Sequence, residues 1–104
     1  MEIQFKSHHA DITDGMRERA ERALRKLGAR LPRAVDSVVR FERDGRARRV
    51  EILVRAPGRR TLVAEGTAER FPSALSAAVQ RLDQQTRESK RPSRRSQAET
   101  AGRV

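Results

Sequence analysis

The chain has no cysteine, no tryptophan and no tyrosine, and its only aromatic rings besides histidine are Phe5, Phe41 and Phe71. Without cysteine there are neither disulfides nor thiolate metal sites. Proteins that read unstacked bases need several exposed rings for stacking, and three phenylalanines barely furnish a core. No stretch approaches the apolar length that spans a bilayer. The opening Met1-Glu2-Ile3-Gln4-Phe5-Lys6 lacks the apolar segment of a secretory signal, so a cytoplasmic location is expected. At 104 residues, one domain with a small core is the expectation, too small to wall a deep substrate pocket.

What the chain does have is positive charge. Lys and Arg number 24 against 14 Asp and Glu, for a formal net charge of +10. Such a surplus on a small domain suits a phosphate backbone or another polyanion. Basic and poor in rings, the composition points to a protein that binds folded nucleic acid through backbone and shape.

The hydrophobic pattern divides the chain into six elements. Glu2 to Ser7 alternates, with Ile3 and Phe5 on one face, and reads as a strand. Thr13-Asp14 offers a helix N-cap, with acidic Asp14 and Glu18 near the positive helix end. Met16, Ala20, Ala23, Leu24, Leu27 and Leu31 then form one apolar stripe, and Pro32 is expected to end the helix. Val35 to Glu42 reads as a second strand, followed by an Asp44-Gly45 turn signal. Arg48 to Ala56 alternates, with Val50, Ile52 and Val54 inward. Pro57-Gly58 turns the chain into Thr61 to Ala68, whose inward Leu62, Ala64, Gly66 and Ala68 are small enough for a helix to pack closely. Phe71, Leu75, Ala78, Val79 and Leu82 mark a second amphipathic helix, with Pro72 in its first turn.

This order predicts an α+β fold, a β-α-β-β-β-α two-layer sandwich, with a four-stranded mixed sheet and both helices on one face. The first two strands, joined through a helix, run parallel by a right-handed crossover, and the rest are hairpins. Residues 1–88 are expected to form the domain and 89–104 a basic disordered tail.

The tail holds the smaller share of the surplus charge. On the first helix Arg19, Arg22, Arg25, Lys26 and Arg30 fall away from the apolar stripe, and on the second Arg81 and Arg87 project outward. Helices lying side by side would merge these into one basic surface. The hairpins add Arg43, Arg46, Arg48 and Arg49 at one place, Arg59 and Arg60 at another.

Stretches along the chain resemble those of the bacterial ribosome hibernation promoting factors, also called ribosome-associated inhibitor or sigma-factor modulation proteins. Ile3-Gln4-Phe5 followed by Ser7-His8-His9-Ala10-Asp11-Ile12-Thr13-Asp14-Gly15-Met16-Arg17 is similar to the family's opening strand, turn and capped helix. So are Leu24-Arg25-Lys26-Leu27, Arg49-Val50-Glu51-Ile52, Thr61 through Glu69, Phe71 through Leu75 and Ala78 through Gln85 to later elements. The similarity covers about residues 1–90. The resemblance implies the sandwich fold, akin to double-stranded-RNA-binding domains. It also implies binding to the small ribosomal subunit, in the channel where mRNA and tRNA anticodons sit, and translational silencing by occlusion. The chain ends before the dimerisation domain of long members would fit, so it resembles the short ones.

On this reading the partner is the small subunit and its rRNA. The expected contacts are Arg17, Arg22, Arg25, Lys26, Arg81, Arg87, Lys90 and Arg91. The chain departs from the family pattern at Ala23 and Glu88, where lysines are common, at Gln84, where a basic residue is common, and at Arg70 and Pro72, where an acid and an aromatic are common. Alternatives on the same fold are a protein–protein regulator and a generic duplex-RNA binder. No enzyme is expected, since no catalytic set can be assembled. His8-His9 reads as a turn, not a metal site, because adjacent side chains at a strand end diverge. No cofactor, metal, small-molecule substrate or membrane partner is expected. The oligomeric state is left open, with a monomer favoured.

Overall fold

A computed structural model describes residues 1–90, except Pro32, Val35 and Arg59, and only the backbone of 88–90. The elements are β1 (Glu2–His8), α1 (Asp14–Gly28), β2 (Asp36–Asp44), β3 (Ala47–Arg55), β4 (Leu62–Ala68) and α2 (Phe71–Lys90). They form one four-stranded sheet in the order β1-β2-β3-β4. β1 pairs with β2 in parallel, and the other two pairings are antiparallel. This is the α+β sandwich that the hydrophobic pattern predicts.

The core lies between the inward sheet face and the two helices. Val39, Phe41, Val50 and Ile52 are fully buried beneath Ala20 and Leu24 of α1 and Leu75, Ala78 and Leu82 of α2. Burying each large apolar side chain contributes about 2 kcal/mol. The phenylalanines serve this core. Phe41 is fully buried, Phe5 and Phe71 pack against the same cluster, and Phe71 meets Phe41 edge to face at 5.6 Å.

Close packing of α2 depends on Gly66. A Cβ at that position would lie 2.2 Å from the Ala74 carbonyl oxygen and 2.5 Å from the Ala78 nitrogen. The helix backbone therefore rests directly on β4. The free edge of the same strand is also engaged: Gln85 Nε2 donates to the Val63 carbonyl at 2.8 Å, and Arg81 Nη1 to the Glu65 carbonyl at 3.0 Å.

Thr13 is the N-cap of α1, its Oγ1 accepting from the Met16 amide at 3.2 Å. The helix ends earlier than the apolar stripe suggests. It stops at Gly28, a poor helix former, and continues as tight turns, with the Arg30 and Leu31 amides donating to the Leu27 and Gly28 carbonyls. Leu31 stays buried on this turn, so the stripe outlasts the helix. Pro32, expected to be the stop, lies outside the described residues.

The β2–β3 hairpin turns one residue later than the Asp44-Gly45 signal, and β2 runs two residues beyond Glu42. Asp44 pairs with Ala47, leaving Gly45-Arg46 as a two-residue turn. Gly45, at φ +64°, takes the first central position, the type II′ pattern that suits right-twisted strands. The ladder thereby extends to Arg43 opposite Arg48. The backbone of α2 runs to Lys90, and the rest of the predicted tail, 91–104, lies outside the described residues.

Candidate nucleic-acid interface

Because α1 buries Ala20, Leu24 and Leu27, its cations at i, i+3 or i+4 spacing are left on one flank. Arg19, Arg22 and Lys26 follow this line, and Arg30 prolongs it beyond the helix end. α2 sets Val79, Asp83 and Arg87 opposite them. Between the helices runs a groove of about 490 Å³ lined by these seven residues, with Ala23 and Leu27 completing its wall. Five of the lining side chains are cationic and one is acidic.

That one acid is already engaged. Asp83 forms an ion pair with Arg30, tying the end of α1 to α2, and its other oxygen lies 3.3 Å from Arg87 Nε. Asp83 thus positions two cations and offsets part of their charge. Among the described residues, Arg19, Arg22 and Lys26 have no ion-pair partner. They are the groove's free charges.

The outer face of the sheet is different. Arg55 pairs with Asp36 at 2.6 Å, Arg40 with Glu51 at 3.4 Å, and Arg49 with both Glu42 and Glu65. The Arg55 guanidinium, hydrogen-bonded to Asp36, holds that carboxyl below the usual aspartate range. The sheet face largely neutralises itself, whereas the cleft between the helices retains unpaired charge.

The sequence-predicted contacts separate accordingly. Arg22, Lys26 and Arg87 line the groove. Arg25 is exposed but pairs with Glu21 at 2.9 Å, one turn earlier on α1. Arg17 is exposed and does not line the groove. Arg81 sits on the opposite flank of α2, against β4. The Lys90 side chain and all of Arg91 lie outside the described residues. Arg19 and Arg30 line the groove without having been among the expected contacts, although both follow the spacing of Arg22 and Lys26. Ala23, where a lysine is common in the resembling family, is a half-buried part of the groove wall.

Chemically, the groove is suited to holding phosphates. Guanidinium groups present paired donors to phosphate oxygens, and Lys26 adds a point charge. Among the described residues, no cluster of three or more His, Cys, Asp or Glu could hold a metal. His8 and His9 do not diverge as expected: His9 leaves the strand conformation at φ +57°, and the two ring centres lie 4.1 Å apart at the end of β1. No helix among the described residues is long and apolar enough to cross a membrane.

Comparison with known proteins follows the same lines. No curated protein matches the sequence. Among solved structures, the fold is similar to a ribosomal subunit interface protein from Coxiella burnetii, with TM-score 0.80 and 21% identity over 86% of this chain and 98% of that one. It is also similar to the N-terminal domain of Protein Y from Thermus thermophilus, with TM-score 0.76 and 26% identity over 86% of this chain and all of the other. Residues 3–94 match the family described as sigma 54 modulation protein / S30EA ribosomal protein, and the chain belongs to that family.

Proposed function

We propose that this protein is a ribosome hibernation factor acting in the cytoplasm. It binds rRNA of the small subunit at the mRNA and tRNA channel and inhibits translation by occupying it. The observation that carries this reading is the groove between α1 and α2, where Arg19, Arg22 and Lys26 have no ion-pair partner among the described residues while the sheet face balances its own charge. Family membership supports the ribosome as the partner.

The mechanism needs no bond making. Arg22, Lys26 and Arg87 neutralise rRNA phosphates and release counterions, and the rigid sandwich fills the space that mRNA and anticodons require. In this proposal residues 1–88 are the binding unit. Lys90 and Arg91 carry the same charge onward into a basic tail, 89–104.

Co-sedimentation with purified small subunits tests the reading, with mRNA and tRNA as competitors. Binding is expected at moderate salt, displaced by both competitors. Each phosphate contact removed by mutation should reduce the log–log salt slope by roughly 0.7 to 0.9. Failure to sediment with the small subunit would reject the proposal. Displacement by any RNA duplex equally well would replace it with generic duplex binding.

A further inference from the structure

Where β1 and β4 end, the inward side of the sheet changes character. Inward positions of β2 run Ser37, Val39, Phe41 and then Arg43, and those of β3 run Val54, Ile52, Val50 and then Arg48. Two buried, mostly apolar rows thus finish in arginines that face each other directly across the ladder. Like charges at opposed positions on a sheet repel. Among the described residues neither arginine has a carboxylate ion-pair partner, although Arg40, Arg49 and Arg55, the cations on the outer face of β2 and β3, each have one.

The pair borders a cavity. A concavity of about 660 Å³ is lined by His9, Ala10, Asp11, Arg43, Arg48 and Phe71. It shares no residue with the groove between the helices. Arg48 is steadied at its wall, 5.8 Å from the Phe71 ring centre, with long hydrogen bonds of 3.4 Å to the Gly45 and Arg46 carbonyls. Arg43 is exposed. His9 holds a φ of +57°, a left-handed conformation that costs a residue with a side chain roughly 1–2 kcal/mol. A pair of like charges with no ion-pair partner among the described residues, beside a strained residue, fits a site completed by an anion.

We propose that this cradle binds a ribose-phosphate group, the phosphate bridging Arg43 and Arg48 and a ribose hydroxyl donating to Asp11. The phosphate turns a repulsive pair into two charge-assisted contacts. Asp11 selects the class. Its carboxylate disfavours a bare anion, yet it accepts from the hydroxyls that a nucleotide carries beside its phosphate. Inorganic phosphate is therefore a poorer ligand than a nucleotide. The site does not depend on ribosome binding, since it lies in another cavity and is probed with free ligands.

The test is NMR titration of the full chain labelled with nitrogen-15, using AMP, adenosine, inorganic phosphate and a short single-stranded RNA as probes. AMP or the RNA is expected to shift the Arg43 and Arg48 Nε–H signals and the His9 amide. Adenosine is expected to leave them unmoved, and inorganic phosphate to need higher concentration. A response to AMP alone assigns the site to a free nucleotide, and one to RNA assigns it to a strand; either sustains the cradle. Arg43→Gln should weaken binding about tenfold, the effect of losing one charge-assisted contact. Arg43→Glu should abolish binding while raising the thermal midpoint of the free protein, because it places opposite charges across the ladder. That rise separates lost recognition from lost folding. The proposal is overturned if none of the probes moves these signals, if only groove residues respond, or if Arg43→Gln binds as tightly as the parent.

Discussion

Ser37 is fully buried on the inward face of β2, and its hydroxyl has no hydrogen-bond partner among the described residues. A buried polar group in that state costs about 1–3 kcal/mol. Ser37→Ala removes the group and little volume, so chemical denaturation should show a gain of about 1 kcal/mol. Arg25 and Lys26 are neighbours in sequence and differ in electrostatic circumstance. Arg25 is paired with Glu21, whereas Lys26 lines the groove without an ion-pair partner among the described residues. Lys26→Glu should therefore weaken small-subunit binding more than Arg25→Glu, read as the shift in sedimentation midpoint. Equal losses would mean that the contact surface extends around α1 beyond the groove.

At the scale of elements, α2 and β4 behave as one unit because Gly66 lets their backbones touch. Gly66→Ala forces the Cβ onto helix backbone that cannot give way, and unfolding should show a loss of about 3 kcal/mol. The β2–β3 pair carries a smaller, pH-dependent contribution. Asp36 is held below its ordinary range by Arg55, so their bond stabilises the fold above the unfolded aspartate pKa and is lost as pH falls through the lowered folded value. Asp36→Asn should lower the thermal midpoint near neutrality and converge with the parent in acid. The effect is modest, because the pair is exposed to solvent screening. Elements of this kind were legible in the sequence because their signals are local. Alternation of Val50, Ile52 and Val54 needs no knowledge of the partner strand, nor does the helical spacing of Ala20, Leu24 and Leu27. The end of α1 was read too far along, since Leu31 keeps the apolar spacing on a turn that is no longer α-helical.

Across the whole molecule, charge is sorted by layer. Only part of that sorting was readable beforehand. Helical spacing shows that Arg81 and Arg87 point away from the apolar stripe. Which flank each occupies depends on what α2 packs against, and Arg87 turns toward α1 while Arg81 turns toward β4. The bond between Arg30 and Asp83 joins residues 53 positions apart and leaves no local trace. The grip of Arg81 and Gln85 on β4 bears on how the protein behaves in crowded solution. A sheet that extends from molecule to molecule needs two usable sides, one to receive a strand and one to pass the pattern on. Here two outward carbonyls of β4 are already spoken for, which leaves β1 as the side better able to accept a strand. Growth through a single side ends in a pair. Sedimentation velocity at high concentration should show no species larger than two copies, and the double variant Arg81→Ala, Gln85→Ala should assemble further. The helix that lines the proposed nucleic-acid groove is thus also the one that occupies this edge of the sheet.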